Sequence, residues 1–451
     1  MALLMQTATL FEYEERRFEV SETDRIDDRT LYLTEKTLQD LERLNSGGFF
    51  DIGRTTIRAK NYVGITRVGG ISLQVLPKIM RSANIGEHQA LSASNLLQML
   101  SSSGIIPFTH PRAAFLDIHR IDLFEIFIRL FADELQHLIH HTQSREYIRK
   151  SDNLRFVRGK ITIKQYSNPA RMHVIPCTYH DFSIDTLLNR TLKFTCHLMS
   201  RSVSDHQTIR KLRSITNILD QVTLTPITVS DVDRISFTRL NRVFEPFIRI
   251  CRLFLHHSTL TLQVSHIESF SLMIPMEKLF EAFIVSTLKQ DPVYFFGQGF
   301  TVQGQKQIGY LAKDETDCNV FLMRPDIIIE GGDRPIIIDT KYKILKPEES
   351  KYGVSQSDMY QMYAYAMYTN ASSCMLLYPD ILVSHKRDFT FKTSNQGNIH
   401  LMIRSIPLSC NLSDPKGWND FRENLSAIMR PLATIAERVQ RVAPEQGVVN
   451  G

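Results

Sequence analysis

Close cysteine pairs are missing from this sequence. Its six cysteines, Cys177, Cys196, Cys251, Cys318, Cys374 and Cys410, are scattered through 451 residues. That excludes zinc-type spacing and a dense disulfide framework, and it predicts buried free thiols in a reducing compartment. Long apolar runs are missing too, so no membrane span and no membrane partner is expected. The opening stretch MALLMQTATLFEYEE lacks a basic segment and turns acidic before a signal core could form, which points to a cytoplasmic protein. A phosphate loop is absent: Gly159-Lys160 is followed by Ile161 and lacks the upstream glycine. Any nucleotide-driven step must then come from a partner. No G-x-S-x-G elbow, zinc-protease motif, repeat or low-complexity segment occurs. A large excess of one sign of charge is missing as well: a net +5 permits an anionic partner such as nucleic acid without demanding one.

What is present describes a globular chain with real cores, at 43% hydrophobic and 22% charged residues. The length favours two or three domains. A multidomain α/β protein is expected, with a β-rich domain over 1–105, a mainly helical middle over 106–265, and an α/β unit over 266–451. In the first region KNYVGITRVGGISLQVLPKI reads as a hairpin turning at Gly69-Gly70, and Gly64 suggests a bulge or a close backbone approach. In the middle, IDLFEIFIRLFADELQHLIHH and NRVFEPFIRICRLFLHH repeat apolar residues at helical spacing. His137 and His141 stand one helical turn apart; they could bind a metal or complement the dipole of a helix C-terminus. Between these helices Arg145, Arg149, Lys150, Arg155, Arg158, Lys160, Lys164 and Arg171 are interleaved with Tyr147, Phe156 and Tyr166. That run is either a solvated face or a track for a phosphate backbone.

From residue 266 helices and strands alternate. IPMEKLFEAFIVSTLKQD reads as a helix with Pro275 at its first position. Strands are expected near 293–303, 319–329 and 335–342. SQSDMYQMYAYAMYTN is a second helix, with Ser355 and Asp358 as a capping box. SCMLLYP reads as a short buried strand, followed by a hairpin-like pair and a helix from about 418.

The chemistry concentrates in RPDIIIEGGDRPIIIDTKYKIL, residues 324–345. Residues two apart on a strand share a face, so Asp339 and Lys341 project together with Thr340 between them. If the two apolar runs pair as a hairpin, Asp326 converges on Asp339. Two converging carboxylates repel, and burial raises the cost. A divalent cation resolves this, and all-oxygen ligands favour magnesium, with manganese as substitute. The Thr340 carbonyl is a natural further ligand. Such a site polarises a phosphate oxygen and activates water, with Lys341 orienting that water or stabilising developing charge, as in a phosphodiesterase. An acid-x-Lys triplet alone is equally a strand-end salt bridge; the Pro-Asp, strand, Gly turn, strand, Asp-x-Lys order is more specific. Glu277 and Glu281 form a like-charge pair on the preceding helix. Glu281 is either a third carboxylate aimed at the metal or a core-edge acid paired with a lysine. Gln361 and Tyr365 lie one turn apart on the later helix and could address the site or a bound nucleic acid.

Pro325-Asp326 with Asp339-Thr340-Lys341, a Glu-bearing helix before them and Gln-x-x-x-Tyr after them resemble the PD-(D/E)xK nuclease superfamily. YVGITRVGGISLQVLPKI, NLRFVRGKI, DTLLNRTLKF, MEKLFEAFI, DMYQMYAYA and MLLYP follow in the order seen in the McrC family, the endonuclease subunit of McrBC modification-dependent restriction systems. The resemblance covers about 55–410. It implies a C-terminal PD-(D/E)xK nuclease fold, a mixed sheet flanked by helices, cutting double-stranded, modified DNA with magnesium. It implies a partner, an McrB-like AAA+ GTPase that forms hexameric rings, reads modified cytosine and is stimulated by the N-terminal β domain. By position Asp326, Asp339 and Lys341 carry over as the catalytic set, with Glu281 and Gln361; Asp326, Asp339, Thr340 and Glu281 would hold the metal. Two alternatives stand beside it. One is a stand-alone RecB-like repair or processing nuclease, and the other a non-catalytic activator of a partner NTPase.

Overall fold

The computed structural model describes residues 6–27, 29–78, 85–105, 123–161, 174–256, 258–260, 267–332, 334–345, 350–371, 373–380, 385–391 and 399–442. The chain divides into two compact units. One comprises Met1–Ile65, Gly70–Ile121 and Met273–Gly451; the other comprises Thr66–Gly69 and Asp122–Leu272.

The first unit begins with a sheet-rich region. Gln6–Phe11 pairs in parallel with Ile71–Leu76, from Gln6↔Ile71 to Phe11↔Leu76. A separate five-stranded sheet orders Arg25–Ile26, Thr30–Leu33, Glu15–Val20, Thr56–Ala59 and Phe50–Ile52. The helix Glu35–Leu44 starts at Thr34, whose hydroxyl accepts from the Thr37 N–H at 3.2 Å. Gly64 and Gly69 both take positive φ, at 135° and 54°. A helix, Ile85–Ser102, stands where only strands and turns were expected. Ala93, Leu96, Leu97 and Leu100 are buried on it at helical spacing, a period hidden by the serine-rich composition around them.

The same unit contains a six-stranded mixed sheet in the order Thr301–Gly304, Ile327–Glu330, Ile336–Thr340, Ser373–Asp380, Ile399–Pro407 and Lys386–Phe391. Ile327–Glu330 is antiparallel to both of its neighbours, while Ile336–Thr340, Ser373–Asp380 and Ile399–Pro407 run parallel. Central parallel strands are covered on both faces, so they read as continuous apolar runs rather than alternating ones. All eight residues of Ser373–Asp380 are buried, as are Ile336, Ile337 and Ile338. Gly331 makes the turn between the two isoleucine strands. Its φ is 152°, and a Cβ there would meet the Gly299 carbonyl oxygen at 2.5 Å. Helices Met276–Gln290, Gln356–Thr369 and Pro415–Val442 complete this region.

Three expectations about element boundaries need correction. The strand placed at 293–303 shrinks to Thr301–Gly304, because Pro292–Phe296 is a short helix. Asp291 caps it and Pro292 opens it, an Asp-Pro signal for a helix start. The strand placed at 319–329 is two strands in different sheets. Asn319–Met323 pairs with Gly309–Lys313, whereas Ile327–Glu330 joins the six-stranded sheet, because Arg324-Pro325-Asp326 breaks the run. Pro275 lies one position earlier than expected, at the cap of its helix rather than inside it.

The second unit is mainly helical. Leu123–His141, Leu187–Ser202, His206–Ile218 and Glu245–His256 bury Phe124, Phe131, Leu192, Cys196, Cys251 and Phe254. The rings of His137 and His141 lie 4.8 Å apart, tilted by 55°, in the last turns of their helix. The basic run forms a three-stranded antiparallel sheet, Lys160–Ile161, Ile175–Ser183 and Glu146–Leu154. Asp181 neutralises part of its charge, at 2.7 Å from Lys150 and 3.0 Å from Arg158. Tyr147 and Phe182 stack on the sheet at 4.9 Å and are both more than half exposed. Lys164, Tyr166 and Arg171 lie outside the described residues. Among the described residues no helix is long and apolar enough to cross a membrane.

Candidate functional site

The two isoleucine strands set the geometry. Their register pairs Ile327 with Ile338, so one step further brings Asp326 beside Asp339. Both Asp326 and Asp339 leave apolar strand interiors at the same end of the sheet. Asp326 Oδ2 accepts hydrogen bonds from the Thr340 N–H and hydroxyl, each at 2.8 Å. Asp339 Oδ2 lies 2.7 Å from Lys341 Nζ, as their shared strand face requires. The Lys341 N–H donates to the Leu377 carbonyl at 2.9 Å, which ties the strand exit to the parallel neighbour.

Lys341 is held from a second side by the helix Gln356–Thr369. Its Nζ donates to Gln361 Oε1 at 3.0 Å and stands 3.6 Å from Asp358. Gln361 Nε2 reaches Tyr365 OH at 3.0 Å, and that hydroxyl donates to the Arg324 carbonyl at 3.4 Å. The helix thus connects the lysine back to the Pro-Asp turn. Ser355 does cap this helix, accepting from the Asp358 N–H at 3.1 Å, while the Asp358 carboxylate turns to Lys341 and Lys343.

The helix Met276–Gln290 supplies the remaining acid. Gln305 Nε2 donates to Glu281 Oε1 and lies 3.4 Å from Asp326 Oδ1, so one amide bridges two carboxylates. The Gln305 N–H also donates to the Asp326 carbonyl at 2.9 Å, from a backbone with φ of 55°. Glu277, one turn earlier, belongs elsewhere: its charge acts on Glu12 and Tyr13. The structure therefore brings Asp326, Asp339, Thr340, Lys341, Glu281 and Gln361 to one place, and leaves Glu277 out.

Electrostatics follow from this crowding. Burial pushes the Asp339 carboxyl up to about 6, and the charge of Asp326 adds to it. Asp326 is raised by burial against the opposing hydrogen bonds from Thr340. Glu281 is raised by burial and then by Asp326. Burial pulls the Lys341 ammonium down, but Asp339, Asp358 and Asp326 outweigh it and the net shift is upward. Lys341 is thus a firmly charged cation facing acids that have more negative charge than it can neutralise.

The donor set is all oxygen, which fits a hard divalent cation such as magnesium. The excess negative charge of the buried acids fits it as well. As the side chains stand, no group of three His, Cys, Asp or Glu among the described residues is gathered to hold an ion. The Gln305 amide between Glu281 and Asp326 accounts for part of that spacing.

Gln305, the Thr340 hydroxyl and Asp358 were not foreseen as members of the site. Gln305 carries no motif signal, because a single amide after a four-residue strand is silent in sequence. Its left-handed backbone conformation, unusual for a residue with a side chain, is visible only in the folded chain. Asp358 was read through its cap, which explained it locally and hid its tertiary partner.

Fold and site together define a multidomain mixed α/β protein with a partly buried acidic cluster around Lys341. Residues 57–379 match the family described as McrBC 5-methylcytosine restriction system component, and the chain belongs to that family. No curated protein matches the chain. Among solved structures it is similar to a half-complex from a tetradecameric assembly of Thermococcus gammatolerans McrB AAA+ hexamers with bound McrC. That match has 20% identity and a TM-score of 0.68, and covers 94% of this chain and 100% of the other. A second structure, the Thermococcus gammatolerans McrBC complex, matches at 23% identity and a TM-score of 0.49, over 64% of this chain and 88% of that one.

Proposed function

We propose that this chain is the magnesium-dependent endonuclease subunit of a McrBC-like modification-dependent restriction complex. In this reading residues 266–451 form a PD-(D/E)xK nuclease domain that cuts double-stranded DNA. The observation that carries it is the convergence of Asp326, Asp339, Glu281 and Lys341, from two strands and a helix, around one acidic cluster. Asp326, Asp339, Glu281 and the Thr340 carbonyl would hold the cation. When bound there, magnesium supplies a Lewis acid for the phosphate and a water of lowered pKa.

The remaining roles belong to the chain. Lys341 directs its ammonium toward the phosphate, where it stabilises developing negative charge and orients the attacking water. Gln361 and Asp339 fix the lysine from two sides, so little reorganisation is needed when the substrate arrives. Thr340 orients the Asp326 carboxylate through both of its donors. Gln305 keeps Glu281 and Asp326 apart at close range.

The partner is an McrB-like AAA+ GTPase hexamer, supported by the family and by the partner named for the similar Thermococcus gammatolerans structure. Docking is assigned to the N-terminal region over 1–105. Its contact is the tip Val68-Gly69-Gly70 of the glycine hairpin, where Gly69 is exposed and Val68 is buried. The test is cleavage of methylated and unmethylated DNA with magnesium, with and without the partner and GTP. Cutting is expected only with magnesium and partner together. Full cutting by a Lys341→Ala chain would sink the assignment of the site.

A further inference from the structure

The most unusual group outside the cluster just described is a carboxylate at a core position of the first strand. Along Gln6–Phe11 the inward residues are Ala8 and Leu10, and the same period of two places Glu12 inward next. Glu12 is 2% exposed. The chain then turns sharply: Tyr13 takes a φ of 63°, its N–H donates to the Ala59 carbonyl at 3.0 Å, and Glu14 accepts from the Ala59 N–H at 2.9 Å. The Phe11 N–H donates to Glu14 Oε2 at 2.7 Å, closing the turn on its other side. Glu12 is therefore fixed by its backbone before any long-range contact is considered.

Its carboxylate meets the residue that follows Lys341. Tyr342 OH donates to Glu12 Oε2 at 2.6 Å across 330 residues of sequence, and the Lys78 N–H donates to the same oxygen at 3.1 Å. Glu12 Oε1 is buried with no hydrogen-bond partner among the described residues. The Tyr342 ring packs against Phe280 at 6.0 Å, and Phe280 is the neighbour of Glu281. The strand itself ends at Thr340, and beyond it the backbone bends, with the Lys343 N–H donating to the Lys341 carbonyl at 3.0 Å. The buried phenol is thus a side-chain anchor for the short segment that presents Lys341.

Packing alone does not account for this pair. A phenylalanine at 342 against an apolar residue at 12 would fill the same space without burying a carboxylate, which is costly even when hydrogen-bonded. A directional bond, by contrast, fixes where the segment sits along the strand axis. We propose that Glu12 is a positioning residue for the cleavage site: the N-terminal strand holds Tyr342, and through it the strand exit that carries Lys341. The inference rests on the nuclease reading above, and it makes the first strand part of the catalytic unit.

The test uses the full chain with its GTPase partner, comparing wild type with Tyr342→Phe, Glu12→Ala, Glu12→Gln and the control Asp339→Asn. Two quantities are read: amide hydrogen exchange in a peptide spanning 338–345, and kcat against KM for DNA cleavage. Tyr342→Phe and Glu12→Ala should raise exchange and lower kcat about tenfold or more with KM for DNA unchanged, since small misplacements of a reacting group are costly. Glu12→Gln should restore most of both, because one oxygen accepts both existing bonds and the amide retains one. Combining Glu12→Ala with Tyr342→Phe should be no worse than either alone. Stimulation of the partner's GTPase reports that each variant is folded. Unchanged exchange in Tyr342→Phe overturns the inference, as does a loss that falls on KM. If wild type cuts, Asp339→Asn does not, and Tyr342→Phe cuts at the full rate, this inference alone fails. If wild type and Asp339→Asn are equally inert, the nuclease reading fails and takes the inference with it.

Discussion

Two buried acids, one in each unit, meet opposite fates. In the helical unit Glu125 is 6% exposed and amply answered. Its Oε1 accepts from the Ser204 N–H and hydroxyl at 2.7 Å each, its Oε2 accepts from the Asp205 N–H at 3.1 Å, and Arg67 stands 4.0 Å away. The guanidinium of Arg67 lies 3.8 Å over the Phe124 ring and donates to the Ser202 carbonyl at 2.8 Å. In the other unit Asp339 is 2% exposed and shares its surroundings with Asp326, Glu281 and Asp358, with Lys341 against it at 2.7 Å and Lys343 only at the far side of Asp358, 4.0 Å away. Burial of a carboxylate is therefore no sign of function by itself. The informative feature is negative charge that the protein's own donors leave unbalanced.

The largest effect should separate the two acids by activity and stability. Asp339→Asn should lower cleavage by about a thousandfold, the scale of losing a group that stabilises the transition state, while thermal melting stays level or rises as repulsion is relieved. Melting that drops sharply would show that Asp339 is structural after all. Glu125→Ala should do the opposite within its unit. It leaves three donors without their acceptor and removes the carboxylate beside Arg67, so a loss of about 4 kcal/mol is expected in denaturant titration. A loss below about 1 kcal/mol would erase the contrast.

Glu12 lies between these extremes, and its pH behaviour sharpens the comparison. Burial raises its carboxyl from the ordinary 4.5 to about 7, against the opposing bonds from Tyr342 and Lys78. Between those values the folded chain keeps a proton that the unfolded chain releases. This contribution to stability is therefore present below pH 4.5 and lost as pH rises through 7, a swing of about 3 kcal/mol. Glu12→Gln should be more stable than wild type at pH 8 by about that amount, and the gap should close toward pH 4.5. A pH-independent gap in unfolding free energy would contradict the burial effect.

The smallest effect concerns the cation. Asp339, raised to about 6, must lose its proton to act as a ligand. Magnesium affinity measured by calorimetry should be level above pH 7 and fall by up to about tenfold per pH unit below about 6. Affinity that does not change between pH 7 and 5 would remove Asp339 from the ligand set.

Much of the site was legible because it is local. The isoleucine runs at 327–329 and 336–338, separated by a short glycine turn, could pair in few ways, and that pairing brings Asp326 next to Asp339. Strand periodicity alone put Asp339 and Lys341 on one face. The helix bearing Gln361 and Tyr365 was equally clear, with its cap at Ser355. Boundaries failed where two signals competed. The 293–303 stretch looked apolar enough for a strand, yet Asp291-Pro292 starts a helical turn there.

By itself the sequence determined the strands, the turn, the acids at their ends and the lysine beside them, because chain connectivity within about twenty residues leaves little freedom. Only the tertiary structure decided which distant groups would join them. Gln305 bridges Glu281 and Asp326 because the end of one strand and the start of another meet the side of the helix Met276–Gln290. Glu12 reaches Tyr342 across 330 residues because the first strand, Gln6–Phe11, folds into the same compact unit as the six-stranded sheet. Such contacts form when closing a long loop is repaid by burying apolar surface, and that balance belongs to the whole fold rather than to any short window of sequence.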